Sequence, residues 1–164
     1  MRALNDNGFL TGRKELVNLA HLQFFPHHGI GRGFKVDKAS MISTVTALEI
    51  YLKQDEKAEF ERWDAMTRYM VDELENCNGV AEVERVVGED PRVPRAVVEI
   101  NEKALTKTMM EIRAELKRAE KPIWVEFRRA LHPNIMILDP QCLKDGEERI
   151  VVRRLKEELK RAHL

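Results

Sequence analysis

The 164-residue sequence lacks an excess of either charge, a long hydrophobic run and a cysteine motif. Lysine plus arginine and aspartate plus glutamate each number 28, so no global electrostatic field recruits nucleic acid. No apolar run approaches the roughly 20 residues of a membrane helix, which argues against a membrane partner. Two cysteines, Cys77 and Cys142, form neither a CxxC nor a zinc pattern. With no signal peptide, they favour a reducing, cytoplasmic setting without a structural disulfide.

The overall composition is typical of a globular protein with one main core. Hydrophobic residues make up 43% and charged residues 34%, and no internal repeat or low-complexity tract interrupts them. The chain opens in turn residues, "NDNG", with no strand or helix before them. A free-standing domain rarely starts in this way, so we expect a further segment to precede it.

Two helical runs occupy the first half. From Asp37 onward, apolar residues recur at three- and four-residue spacing, with Asp37 or Ser40 as the candidate N-cap. A second run covers residues 55–76 and is followed by Gly79 as a stop signal. The two runs are either separate helices or one bent helix. The second presents one apolar face, which predicts core rather than a cofactor site: Trp63, Met66, Met70 and Leu74.

After Gly79 the pattern changes to β, β, α, β, β, α. "VAEVERVV", "RAVVEI", "IWVEF" and "IMILD" are short β-branched segments that predict strands, and residues 106–119 predict a helix. A last helix is predicted from a capping box, Asp145 with Glu148, and a buried stripe of Val151, Leu155 and Leu159. The predicted fold is α+β: long N-terminal helices lead into a small antiparallel sheet that carries helices on one face.

The basic, glycine-rich stretch "HHGIGRGFKVDK" is the main candidate site. Its glycines let backbone N–H groups approach an anion, while Arg32 and Lys35 supply a planar fork and a point charge. The stretch has neither the GxxxxGK[ST] order nor GxGxxG. Spacing alone leaves two interpretations open: an anion site, or a glycine hinge with solvated cations.

Other polar groups carry weaker signals. His27 and His28 are adjacent and have no ligand spacing to His21 or His132, so we predict exposed or hydrogen-bonding histidines and no metal. Arg128 and Arg129 point to opposite faces of a strand, so only one can face a ligand. "RRLKEELKR" predicts a solvated helix face with i, i+4 ion pairs.

Several motifs together resemble a known family. They are "GFLTGRKELVNLA", "GIGRGFKVDKASMISTVTALEIYL", "PIWVEF", "NIMILDPQCL" and "GEERIVVRRLKEEL". Over nearly the whole chain, these segments look like the C-terminal third to half of bacterial selenocysteine synthase-like proteins. The family includes L-seryl-tRNA(Sec) selenium transferase and related ammonia-lyases. They are pyridoxal 5'-phosphate (PLP) enzymes of aspartate aminotransferase fold type I.

The resemblance implies a domain organisation. Residues 1–39 would hold the end of a large PLP-binding domain and the basic loop, 40–78 the connecting helices, and 79–164 the small α+β domain. With the large domain, the enzyme would be α/β overall. The family's Schiff-base lysine would fall just before Met1, and Lys14, Lys35 and Lys38 do not match it.

The resemblance also assigns the site. Arg32 and Lys35 match two basic residues that bind anionic substrate groups, although lysine departs from the arginine expected at the second position. Gly31 and Gly33 would let the loop approach the active site, and His28 belongs to the same predicted anion site. Arg128 lies near the position of a carboxylate-binding arginine, where this chain has Glu126.

Two hypotheses follow. In the first, the chain is the C-terminal portion of a PLP-dependent transferase or ammonia-lyase acting on an amino-acid or amino-sugar-acid substrate. It would supply a basic wall, be inactive alone, require the upstream large domain and form a homo-oligomer; its neutral charge does not favour tRNA. In the second, it is a stand-alone interaction module that dimerises through the outer faces of residues 41–74.

Overall fold

The computed structural model describes residues 8–88, 92–127 and 134–163. They form two compact units that divide between Asp55 and Glu56. The first unit contains helices α1 (Lys14–Gln23) and α2 (Lys38–Lys53), with a short 3-10 turn at Ile30–Gly33 between them. The second contains, in order, α3 (Glu56–Leu74), β1 (Val80–Val87), β2 (Pro94–Ile100), α4 (Met109–Arg118), β3 (Glu126–Phe127), β4 (Ile135–Leu138) and α5 (Glu147–Ala162). None of the described helices is long and apolar enough to cross a membrane.

Helix α2 begins at the predicted N-cap. The Asp37 carboxylate accepts the Ser40 N–H at 2.9 Å and the Ser40 hydroxyl at 2.6 Å. These hydrogen bonds lower the pKa of Asp37 because they stabilise its charged form. The helix ends at Gln54 in extended backbone, so the two helical runs are separate helices. The compact units divide at this break. The predicted assignment of residues 40–78 to connecting helices stays a prediction.

Helix α3 packs on the sheet through most of its predicted face. Met66, Met70 and Leu74 are buried, and the Thr67 hydroxyl donates to the Pro94 carbonyl at 3.1 Å. Trp63 on the same face is only half-buried. The hydrogen bond to Pro94 joins the helix to the start of β2, so α3 belongs to the unit that contains the sheet.

The sheet is antiparallel throughout, in the order β1-β2-β4-β3. Strand β2 is central, and its alternate residues are buried beneath the helices. The core combines that face with the helices around fully buried residues such as Met70, Ile112 and Leu155. The predicted α+β fold and its β, β, α, β, β, α order are therefore confirmed.

Two local predictions in this unit were wrong. Segment "IWVEF" pairs only at Glu126–Phe127, because the Ile123 N–H donates to Leu116 and the Val125 carbonyl accepts from Arg113. Asp145 and Glu148 form no capping box. Helix α5 instead starts after Gly146, whose φ of 88° suits glycine, and the Asp145 carboxylate bonds Arg62 of α3 at 3.2 Å.

Asp64 ties α3 to β1 and gives the fold a testable acid dependence. Its carboxylate, with only 16% of the side chain exposed, accepts hydrogen bonds from Arg68 at 2.8 Å and from Arg85. Burial alone raises the pKa of Asp64, but the two arginines outweigh it, so the pKa lies below the usual value. The stabilisation is thus fully present above the unfolded pKa of about 3.9 and is lost as pH falls through the lower folded value.

We expect Asp64→Asn to lower the free energy of unfolding by about 1 kcal/mol at neutral pH. Between neutral pH and about pH 3 the variant should also lose less stability than the parent, because the shifted carboxylate no longer titrates. Urea unfolding across that range measures both effects. Glu120→Gln, at an exposed position, is the matched control; equal acid sensitivity of the parent and Asp64→Asn would contradict the assignment.

Candidate anion-binding site

The basic loop folds back on the end of α1. Gln23, the last residue of that helix, accepts the Ile30 N–H through its side-chain Oε1 at 3.3 Å. The 3-10 turn is then closed by the N–H of Arg32 donating to Gly29 at 3.1 Å and that of Phe34 donating to Gly31 at 3.0 Å. The loop is therefore a hydrogen-bonded turn rather than an extended hinge.

Two glycines are required for this close packing. A Cβ atom at Gly29 would overlap the Gln23 backbone, and one at Gly31 would lie 2.9 Å from the Phe24 ring. Gly31 is accordingly buried, whereas Gly33 is exposed and a Cβ there meets nothing within 4 Å. The glycines thus serve the packing of the loop on α1; their predicted part in approaching a ligand stays a prediction.

Arg32 and Lys35 are brought together over one aromatic ring. The guanidinium carbon of Arg32 lies 5.4 Å from the centroid of the Phe25 ring, and Lys35 Nζ lies 5.5 Å from the same centroid. Both distances are within the range of cation–π attraction. Both cations therefore contact the same ring, although the sequence predicted only a chain break at "FFP".

Arg32 is held in place by the backbone beneath it. Its Nη1 donates to the Pro26 carbonyl at 2.8 Å and lies 3.5 Å from the His27 carbonyl. These contacts involve only Nη1 of the half-buried guanidinium, and its other N–H groups remain available to an anion. Lys35, three residues later, is exposed and carries a second positive charge. The pair can bind a phosphate or carboxylate through charge-assisted hydrogen bonds.

The other predicted site residues are less informative. His28 is exposed on the same loop, and the rings of His21 and His27 meet edge to face at 5.5 Å. Across the described ranges, no group of three or more His, Cys, Asp or Glu residues is arranged to hold a metal ion. Arg128, Arg129 and His132 lie outside the described residues.

The loop suits an anionic group of a ligand. The lysines near it do not have the surroundings expected of a lysine that forms a Schiff base. A Schiff-base lysine needs a desolvated amine of lowered pKa. In the ranges that the structure describes, no lysine is buried, and Lys14, Lys35 and Lys38 are all exposed. The predicted absence of the Schiff-base lysine from this chain stays a prediction.

Comparisons with known proteins identify a relative. No protein-family model matches the sequence. D-glucosaminate-6-phosphate ammonia lyase of Salmonella typhimurium is 29% identical over 153 residues, which cover 92% of this chain and 39% of that protein. A solved structure of D-glucosaminate-6-phosphate ammonia-lyase matches with a TM-score of 0.66 at 27% identity, over 93% of this chain and 39% of the other. The chain spans about two fifths of the length of these relatives.

These similarities make the chain a homologue of part of an ammonia-lyase. The likeness to selenocysteine synthases, inferred from the motifs alone, stays a prediction. The name of that relative describes a phosphorylated substrate.

Alanine substitutions at Gly29 and Gly33 are expected to have different effects. Gly29→Ala should open the loop, because overpacking costs about 1–3 kcal/mol. Hydrogen exchange of the Arg32 and Phe34 amides should then accelerate about tenfold or more. Gly33→Ala is the matched control and should leave both rates unchanged, since a Cβ there meets open space. Equal protection in the two variants would contradict the described packing.

Proposed function

We propose that this chain is the C-terminal portion of a PLP-dependent lyase that acts on an amino-sugar acid or amino acid. The observation that carries the proposal is the similarity to an ammonia-lyase over 92% of the chain. The geometry adds two clustered cations, Arg32 and Lys35, which suit an anionic substrate of that class. Transferase chemistry of the selenocysteine synthase kind is the less supported variant, because the relative is named as a lyase.

In this proposal Arg32 binds the anionic group of the substrate, and Lys35 adds a second positive charge. The guanidinium, fixed by the Pro26 carbonyl and the Phe25 ring, offers a planar fork to the phosphate or the carboxylate. The Lys35 ammonium raises the local positive potential without setting a direction. Together they form a basic wall that orients the amino-bearing carbon toward the reactive group of the enzyme.

The cofactor would be PLP, held by a lysine outside this chain. When bound, PLP acts as an electron sink that labilises bonds at the amino-bearing carbon, which permits ammonia to leave. The exposed lysines of the described residues do not suit the attachment role. We therefore propose that an upstream large domain or chain supplies the lysine, and that the present chain is inactive alone.

The exposed hydrophobic side chains of this chain support the proposal that a large partner covers part of its surface. All large hydrophobics that stand exposed in the described residues, except Val86 and Trp124, lie between Phe9 and Leu52. They include Leu19, Phe34 and Ile42, which are 59%, 72% and 67% exposed. A concentration of exposed hydrophobic side chains in one unit is typical of a docking surface. We propose that the upstream domain, or its copy in a homo-oligomer, covers residues 9–52.

Ammonia release tests the proposal. The chain alone, and the chain co-expressed with the polypeptide encoded upstream, are assayed with PLP and D-glucosaminate 6-phosphate, D-glucosaminate or serine. We expect release only from the co-expressed sample, with the phosphorylated substrate preferred if Arg32 and Lys35 bind the phosphate. Release by the chain alone, or none in any sample, would contradict the proposal.

A dimerising module without catalysis is the second candidate. The observation in its favour is the exposed outer face of α2, with Met41, Ile42 and Val45 more than half exposed. Helix α3, by contrast, buries Met66 and Met70. Light scattering distinguishes the candidates: a stable dimer of the chain alone, abolished by Ile42→Glu but unaffected by the upstream polypeptide, would favour the module.

A further inference from the structure

A stripe of four cations runs along α5. Arg149, Arg153, Lys156 and Lys160 are separated by four, three and four residues. At 100° per residue they fall within an arc of about 60°, and at 1.5 Å per residue they extend over about 16 Å. We name these four residues the α5 basic stripe.

The ion pairs predicted for this helix lie mainly on another side. Arg154 pairs with Glu157 at 2.6 Å and with Glu158 at 3.6 Å, and Arg161 pairs with Glu158 at 2.7 Å. Only the pair of Arg154 with Glu158 has the predicted i, i+4 spacing, and Glu158 is buried, so this side is not the solvated face that was predicted. Glu157 and Glu158 therefore pair with Arg154 and Arg161 rather than with the stripe.

The four cations of the stripe differ in their pairing. Lys156 bonds Glu73 of α3 at 2.6 Å, and Arg149 lies 3.6 Å from Glu148 with its guanidinium 5.2 Å from the Tyr69 ring. Arg153 and Lys160 are exposed and have no ion-pair partner within the described part of the chain. Arg153 and Lys160, which have no ion-pair partner, therefore lie on either side of the paired Lys156 along the stripe.

Two adjoining clefts follow the stripe between α3 and α5. One, of about 360 Å³, is lined by all four cations together with Tyr69, Glu73, Val152 and Glu157. The other, of about 340 Å³, shares Lys156 and Lys160 and continues past Asn76, Asn78 and His163. The shared lysines join these clefts into one elongated groove.

We propose that this groove binds an extended acidic peptide segment. Successive cations of the stripe rise about 4.5–6 Å along the helix, and alternate side chains of an extended chain are about 6.6 Å apart. Glutamates at alternate positions can thus meet successive cations. Glu73, Asn76 and Asn78 offer oxygen acceptors for the backbone N–H groups of such a peptide. This surface is distinct from the proposed substrate site and uses none of its residues.

Single-stranded nucleic acid suits the groove less well. Such ligands are held by aromatic stacking as well as by cations. Tyr69, the only aromatic side chain that lines the first cleft, is half-buried and already faces Arg149. Glu73 and Glu157 on the groove wall would repel a continuous phosphate backbone, whereas a peptide can place N–H donors against them.

The test is fluorescence anisotropy with the complete chain, without cofactor. The probe is a labelled peptide of alternating glutamate and serine, about seven residues long, so that four glutamates match the four cations of the stripe. We expect saturable binding that weakens as salt rises. Arg153→Gln/Lys160→Gln should weaken it about tenfold. The charge-matched control is Lys103→Gln/Lys121→Gln, at exposed positions outside the groove, and should bind as the parent does.

Three results would overturn the proposal. They are no saturable binding of the peptide, equal binding by the parent and Arg153→Gln/Lys160→Gln, or tighter stripe-dependent binding of an oligothymidylate. The last would assign the groove to nucleic acid. Far-UV circular dichroism of each variant checks that the fold is intact. Since no lyase activity is measured, the outcome is independent of the proposed catalytic function.

Discussion

Arg32→Ala in the complete enzyme is expected to lower kcat/KM about a hundredfold. A bidentate, charge-assisted contact to a phosphate or carboxylate contributes about 2–3 kcal/mol, and each 1.4 kcal/mol is a tenfold change. Arg32 is the residue to test first because the Pro26 carbonyl at 2.8 Å and the Phe25 ring fix its position. Steady-state kinetics on the co-expressed enzyme, with phosphorylated and unphosphorylated substrates, measures the effect and identifies the group that is bound.

Two further variants make this result interpretable. Arg32→Lys keeps the charge but loses the fork, so it should recover only part of the activity. Arg118→Ala removes an exposed arginine of the second unit, outside the proposed docking residues, and should leave kcat/KM unchanged. If Arg32→Ala has the activity of the parent while the enzyme remains folded, the basic wall is not at the substrate.

Leu155→Ala is expected to have the largest effect on stability. Leu155 is fully buried on α5 within the core of the second unit. Truncation of a fully buried leucine lowers the free energy of unfolding by about 2.7–5 kcal/mol, through lost burial and the cavity that remains. That is a large part of the 5–15 kcal/mol typical of a domain. Chemical denaturation followed by circular dichroism measures the loss.

Leu52→Ala supplies the matched control for the core. It is the same chemical change on α2, where 74% of Leu52 is exposed. In the chain alone it should change the free energy of unfolding by less than about 0.5 kcal/mol. Similar losses for the two variants would mean that Leu52 is buried in solution, which the second candidate function requires.

The order of elements was predictable because its determinants are local. Apolar periodicity identified α3 and α4, and β-branched segments identified β1 and β2. The errors arose where distant residues intervene. Arg62, 83 residues before Asp145, takes the carboxylate that was predicted to cap α5. Likewise, Arg113 of α4 takes the Val125 carbonyl that was predicted to extend β3.

The candidate site was only partly predictable for the same reason. Glycines and cations pointed to Arg32 and Lys35, but nothing in their spacing shows that both lie over Phe25. The α5 basic stripe was also missed. The order of charged residues in the sequence does not show which cations are paired. Pairing depends on the position of each side chain around the helix axis and on Glu73 from α3. Arg128 lies outside the described residues, so its predicted role remains a prediction.

Locating the PLP-binding lysine is the measurement that tests the proposed enzyme most directly. The chain, alone and co-expressed with the polypeptide encoded upstream, is incubated with PLP, reduced with borohydride and digested for mass analysis. A single labelled lysine on the upstream polypeptide, with no specific label on the present chain, is the expected result. A single-site label on this chain, for example at Lys14, Lys35 or Lys38, or no specific label in either sample, would contradict the proposed organisation.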